Sequence, residues 1–248
     1  MHEKHIILGE FSHEQLDAII RKSSQMRDPG ERIDFLSKQF LDIGYAESTL
    51  IGVKLTPEVF VINLTGVDCL TFIEYVEAMR LSDSYADFES NLKRVRYRSG
   101  FVNFMNRNHF FTDWKEFNAD FVDDVTDETG GQKTMKAQKT LNKKEDGTDF
   151  LPGIRPVRRE MQYIPSEAVD STVLNKLRTG DYIGIYSRLT GLDVSHVGIT
   201  IRDGDALFLR HASSQKEYRK VVDQDLKLYI ADKPGIIVFR PKAFVKAA

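Results

Sequence analysis

The apolar pattern of this chain changes period at Thr179-Gly180. Before that point, apolar residues recur at the three- and four-residue spacing of amphipathic helices. After it they form short β-branched and aromatic runs. These runs are Tyr182–Tyr186, His196–Ile201, Ala206–Leu209 and Gly235–Phe239, separated by Leu189-Thr-Gly191, Asp203-Gly-Asp205 and Lys233-Pro-Gly235. Turns of this kind between short runs predict an antiparallel sheet, and helices first with strands last predict an α+β fold.

The helical part opens at Ser12-His-Glu-Gln15, a capping box ahead of Leu16, Ile19 and Ile20. Asp28-Pro-Gly30 breaks that helix, and Ile33, Phe35, Leu36, Phe40 and Leu41 make a second one that stops at Gly44. Tyr45 to Pro57 reads as a connection. Phe88 to Tyr97 has helical spacing and a basic face of Arg94, Arg96 and Arg98, a pattern usual for a solvated surface. Phe101 to Trp114 is dense in aromatics and holds Arg107, His109 and the single Trp, so it reads either as a buried aromatic cluster or as a cleft wall. In Asp120 to Gly147 acids give way to bases about Gly130-Gly131, which suggests an exposed hairpin with complementary strands. Ser166 to Leu177 reads as a short helix.

Val59–Ile62 leads through Thr65-Gly66 into the stretch that bears the only cysteine of 248 residues. From Cys69, apolar residues recur at Leu70, Ile73, Val76 and Ala78, and Asp68 or Thr65 can cap the helix. A thiol in a first helical turn meets unpaired N–H groups and the positive end of the macrodipole, which favour thiolate and can hold an oxyanion. The opposing reading is a small buried hydrophobe. A cysteine nucleophile needs a base, and His196, after Asp193-Val-Ser195, opens a strand whose antiparallel partner ends near His211. The two imidazoles can therefore sit side by side, one as base and one as its orienting group. One Cys and two His could instead ligate zinc with Asp68, His109 or Asp193, although no short Cys/His pair supports a metal site.

Lys and Arg total 35 against 37 Asp and Glu, a net charge of −2, so nothing favours nucleic acid. No apolar run reaches the length of a membrane span, so no membrane insertion is expected. A single cysteine precludes an internal disulfide. The start, Met1-His-Glu-Lys-His5, lacks a signal peptide's apolar centre, so the expectation is a cytoplasmic chain or one whose signal has been removed.

Four motifs, Asp68-Cys-Leu-Thr-Phe-Ile-Glu74, Leu177-x-x-Gly-Asp181, His196-Val-Gly-Ile199 and His211-Ala-Ser-Ser214, resemble the papain-like NlpC-type cell-wall amidases and peptidases. Within them the chain is most similar to the bacterial N-acetylmuramoyl-L-alanine amidase-like branch, from about Ser12 to Pro241. The resemblance implies a papain-like α+β fold with N-terminal helices and a nucleophile helix packed on a C-terminal antiparallel β-sheet. It implies one domain over 1–248: a helical region about 12–57, the nucleophile helix about 68–80, an insertion or accessory region about 83–165 and the catalytic sheet about 178–241. It further implies a Cys69–His196–His211 triad without cofactor or metal, acting as a monomer on muropeptides or peptidoglycan fragments in the cell envelope, expected in the periplasm. Tyr45 is the best match to a tyrosine near the oxyanion hole, although Asp42-Ile-Gly44 departs from the usual Gly-x-x-Tyr. Asp68 is retained as helix cap or amine ligand, while Leu70 stands where a small hydroxyl residue is common. Arg107, His109, Trp114 and Ser195 are the expected substrate contacts. The expected reaction is hydrolysis of the muramic acid–L-alanine amide; a γ-D-glutamyl-directed endopeptidase and a non-catalytic muropeptide-binding protein are the alternatives.

Overall fold

The structure, a computed structural model, describes residues 3–243, so Met1 and His2 of the polar start lie outside the described range. The first strand, β1 (Lys4–Ile7), is followed by α1 (His13–Ser24) and α2 (Pro29–Lys38). Ser12 and Gln15 form the expected capping box, while Asp28 caps α2 and Pro29 opens it, so Asp28-Pro-Gly30 starts a helix as well as ending one. Gly30 lies against Thr179 and Gly180 so closely that a side chain at either glycine would strike backbone. The connection after α2 is not irregular: it contains β2 (Gly44–Tyr45) and β3 (Ile51–Val53). Then come β4 (Thr56–Asn63), β5 (Gly66–Val67), α3 (Cys69–Arg80), α4 (Tyr85–Arg96) and α5 (Phe111–Phe117). β1 pairs in parallel with β4, and β3 pairs antiparallel to it.

The remaining elements build an antiparallel sheet. They are β6 (Val122–Asp124), α6 (Thr126–Gly130), β7 (Met135–Leu141), β8 (Val157–Pro165), α7 (Ser171–Lys176), β9 (Tyr182–Tyr186), β10 (Val194–Asp203), β11 (Ala206–Ala212), β12 (Val221–Asp225), α8 (Leu226–Ile230) and β13 (Gly235–Pro241). The strand order is β12-β11-β10-β9-β13-β8-β7, with β6 also on β13. The hairpin expected about Gly130-Gly131 does not form. The acids before it enter β6, which pairs with β13, and the bases after it enter β7, which pairs with β8 from Met135↔Tyr163 to Leu141↔Val157. Charge complementarity was the wrong guide there, because each half of the segment pairs with a strand from later in the chain.

Side chains alternate across the sheet, and both faces are covered. Val197, Ile199 and Ile201 join Phe72, Ile73 and Val76 of α3 in the larger core, while Ile183, Ile185, Leu207 and Leu209 pack with Val173, Leu226 and Ile230. Helix α3 lies against α2, α4, β10 and β11, and every residue from Thr71 to Arg80 is buried. Its polar residues do not reach solvent. The Glu77 carboxylate accepts two hydrogen bonds from Arg80 (2.7 and 2.6 Å) and one from the Tyr182 hydroxyl (2.6 Å). Glu74 accepts from Arg96 Nε at 2.6 Å, and Arg96 Nη1 donates to the Val61 carbonyl at 2.6 Å. The basic face read on α4 is therefore in part an internal counter-charge: Arg96 is fully buried. Such pairs hold a helix in one position, because losing either partner leaves a charge buried alone.

Candidate active site

Two strand pairings and one helix start converge at Cys69. Asp68 is the N-cap of α3: the Thr71 N–H donates to its Oδ1 (2.8 Å), and its own N–H donates to Thr71 Oγ1 (3.0 Å). Cys69 is thereby fixed as the first helical residue, partly exposed. Just before it, β5 pairs in parallel with β2, and Tyr45 lies opposite Val67. Tyr45 is held there by a hydrogen bond from its N–H to the Arg219 carbonyl (2.8 Å) and by the Arg219 guanidinium over its ring (4.9 Å). Burial, followed by the charges of Cys69 and Asp68, pushes the Tyr45 hydroxyl up to about 12.

The sheet supplies the imidazoles. In β10 the register with β9 shifts between Val194 and His196, so Ser195 is an extra, bulged residue. That shift lets Val194 and Val197 both face the larger core and turns His196 out of it. Ser195 is exposed and makes only a long contact to the Ile185 carbonyl (3.5 Å); its part is in the bulge. On the neighbouring strand, His211 is buried. His196 Nε2 lies 2.7 Å from His211 Nδ1, and His211 Nε2 lies 2.7 Å from Gln224 Oε1. Gln224 reaches it because β12 pairs Leu209 with Gln224, which puts Gln224 on the face of β11 that also carries His211. Tyr229 closes this end, with its ring 6.1 Å from His196 and 4.9 Å from His211.

Burial governs the ionisation of all these groups. It pushes the Cys69 thiol up to about 12, with the Asp68 charge adding, while the backbone N–H groups of Val197, Cys69 and Leu70 act the other way. The helix start therefore does not produce a ready thiolate, contrary to the expectation from the macrodipole, because the desolvation penalty is larger. Val197 follows His196 in β10, so its N–H brings that strand beside the sulfur, although no hydrogen bond joins the thiol to the imidazole. Burial also pushes His196 down to about 3, helped by His211 and Lys233, and His211 down to about 4. The Tyr229 hydroxyl rises to about 12 through burial and then the Cys69 charge. With the two imidazole nitrogens hydrogen-bonded to each other at 2.7 Å, they do not converge on a common ligand. Among the described residues, no three His, Cys, Asp or Glu side chains are grouped to hold a metal ion.

The segment Arg107 to Trp114 belongs elsewhere. Trp114 is fully buried, stacked on Phe111 and edge-on to Tyr182, so it presents no ring face to a sugar. Arg107 is committed to Glu58 (2.9 and 2.6 Å) and the Gly52 carbonyl (3.0 Å). His109 Nε2 sits 2.8 Å from the Phe104 carbonyl. The expected substrate contacts at these three positions are therefore core and scaffold. Gln224 and Tyr229 went unread in the sequence because Val221-Val-Asp-Gln-Asp225 lacks the apolar alternation that marks a strand.

No curated protein matches the sequence. Among solved structures, an N-acetylmuramoyl-L-alanine amidase from Bacteroides uniformis is 29% identical, with a TM-score of 0.72, over 86% of this chain and 99% of its own. A Legionella pneumophila protein without a named activity is 25% identical, with a TM-score of 0.77, over 92% of this chain and 95% of its own. Residues 35–236 match the AmiA-like family, described as N-acetylmuramoyl-L-alanine amidase-like, and the span contains Tyr45, Cys69, His196, His211, Gln224 and Tyr229. The chain belongs to this amidase-like family.

Proposed function

We propose that the chain is a papain-like, NlpC-type cysteine amidase that hydrolyses the amide between N-acetylmuramic acid, reducing or anhydro, and L-alanine in soluble peptidoglycan fragments. Its place is cell-wall turnover or recycling in the bacterial envelope. The observation that carries this reading is the 2.7 Å contact between His196 and His211 on the two strands, β10 and β11, against which the Cys69 helix packs. Family membership supplies the class of bond.

In this reading His196 takes the Cys69 proton as the thiolate attacks the lactyl carbonyl of the muramic acid. The N–H groups at the start of α3 receive the developing oxyanion. The imidazolium returns its proton to the departing L-alanine amine, leaving a thioester on Cys69. Water, deprotonated by His196, then releases the free muramic acid and the thiol. A thiol near 12 and an imidazole near 3 form a neutral resting pair, so the proton passes to His196 as sulfur bonds to the carbonyl carbon and not before. Among the described residues no helix is long and apolar enough to cross a membrane.

The test is mass spectrometry of the products from defined disaccharide and anhydro-muropeptides. Release of a sugar free of alanine, lost in Cys69→Ala, is expected. Products cut after the D-glutamyl residue assign an endopeptidase instead, and binding without products assigns a carrier.

A further inference from the structure

The contact between His211 and Gln224 does more than fill space, because an amide oxygen can only accept a hydrogen bond. The His211 Nε2 that faces Gln224 Oε1 at 2.7 Å must then carry the proton. A neutral imidazole has one N–H, so His211 Nδ1 is left as a bare lone pair. That nitrogen faces His196 Nε2 at 2.7 Å, which must therefore be the protonated nitrogen of His196. His196 Nδ1 is left unprotonated. We propose that Gln224 is a positioning residue that sets the tautomers of both imidazoles and so makes His196 Nδ1 the nitrogen that receives the Cys69 proton.

The reverse arrangement shows what is at stake. An amide nitrogen turned toward His211 donates to Nε2, which forces the proton onto His211 Nδ1. His196 Nε2 then becomes the acceptor and its Nδ1 carries hydrogen, so it cannot take a proton from sulfur. Burial makes the choice matter: both imidazoles are neutral near pH 7, and each has one proton to place. The register Leu209↔Gln224 aims the amide at His211 from a fixed strand rather than from a loop, and Oε1 is the atom that meets Nε2.

This inference rests on the amidase reading for its consequence but not for its observable. Long-range proton–nitrogen NMR of histidine-labelled protein reads the protonated nitrogen of each imidazole in the resting wild type, in Gln224→Glu, which keeps an acceptor and cannot flip, and in Gln224→Met, which keeps the shape and removes it. Wild type and Gln224→Glu are expected to carry hydrogen on Nε2 of both His196 and His211. Gln224→Met is expected to lose this single tautomer and to lose kcat by about 10–100-fold at nearly constant KM. Hydrogen on Nδ1 of His196 in the wild type overturns the proposal, whether or not the protein cleaves muropeptides. So does a Gln224→Met variant that keeps both tautomers, or one that loses them while kcat stays unchanged. If no muropeptide is cleaved, the amidase reading fails while the spectra still decide the tautomers.

Discussion

His196 and His211 meet at 2.7 Å with their rings perpendicular. Edge-on contact aligns Nε2 of one ring with Nδ1 of the other and leaves His196 Nδ1 as the nitrogen not engaged by the pair. That unengaged nitrogen is the one the proposed reaction asks to take the Cys69 proton, with His211 holding the ring.

The resting Cys69–His196 pair is expected to be uncharged, and this can be measured on the single thiol. With Cys69 near 12, the rate of alkylation by iodoacetamide should rise steadily with pH beyond neutrality. A rate that reaches its plateau below about pH 7, as lowered thiols do, would show a pre-formed thiolate–imidazolium pair.

Removing members of the site should separate their roles. Cys69→Ala and His196→Ala are expected to lower kcat by about 10⁴-fold or more, with the melting temperature little changed, because neither side chain holds the core together. His211→Asn should be milder, since an amide can orient the base in part. Equal losses in all three would mean that they act as one inseparable unit.

Trp114 should matter for stability and not for catalysis. Trp114→Ala is expected to cost about 3–5 kcal/mol in chemical denaturation, with kcat/KM per folded molecule unchanged. Arg96→Ala should cost a similar amount, about 3–5 kcal/mol, because Glu74 is left charged and buried. Weaker substrate binding in Trp114→Ala at native stability would return this segment to the cleft.

Acid should destabilise the fold through its buried histidines. His109, His196 and His211 lie near 4, 3 and 4 when folded, against 6.5 for the ordinary side chain. Below 6.5 the unfolded chain therefore takes up protons that the folded chain does not, and stability falls as pH falls until the folded values are reached, by about 1.4 kcal/mol per pH unit per group. Buried carboxylates such as Glu74 and Asp193, which burial pushes up, act with the opposite sign, so the comparison is made against a variant. His109→Gln should lose less stability than wild type between pH 6.5 and pH 4.5, measured by urea unfolding; parallel curves would contradict the burial argument.

The α+β order, the caps at Ser12 and Asp68, the helix start at Cys69 and the strand places of His196 and His211 were legible because each is local. A cap is three residues wide, and a strand start shows its own period. What escaped is what depends on partners far along the chain. Arg96 read as a surface charge until α4 packs on α3 and sets it against Glu74. Asp120 to Gly147 read as a hairpin because complementary charges suggested pairing, while the acids pair with β13 and the bases with β8. Gln224 became visible only through its register with Leu209, which no local pattern encodes.

The central claim, a thioester on the only cysteine, is tested most directly by stopping turnover of a muropeptide in acid and weighing the intact protein. The expected result is a mass gain equal to the muramoyl group without alanine, located on the peptide that carries Cys69 and absent from Cys69→Ala. An adduct that still carries alanine, or undiminished turnover by Cys69→Ala, would contradict it.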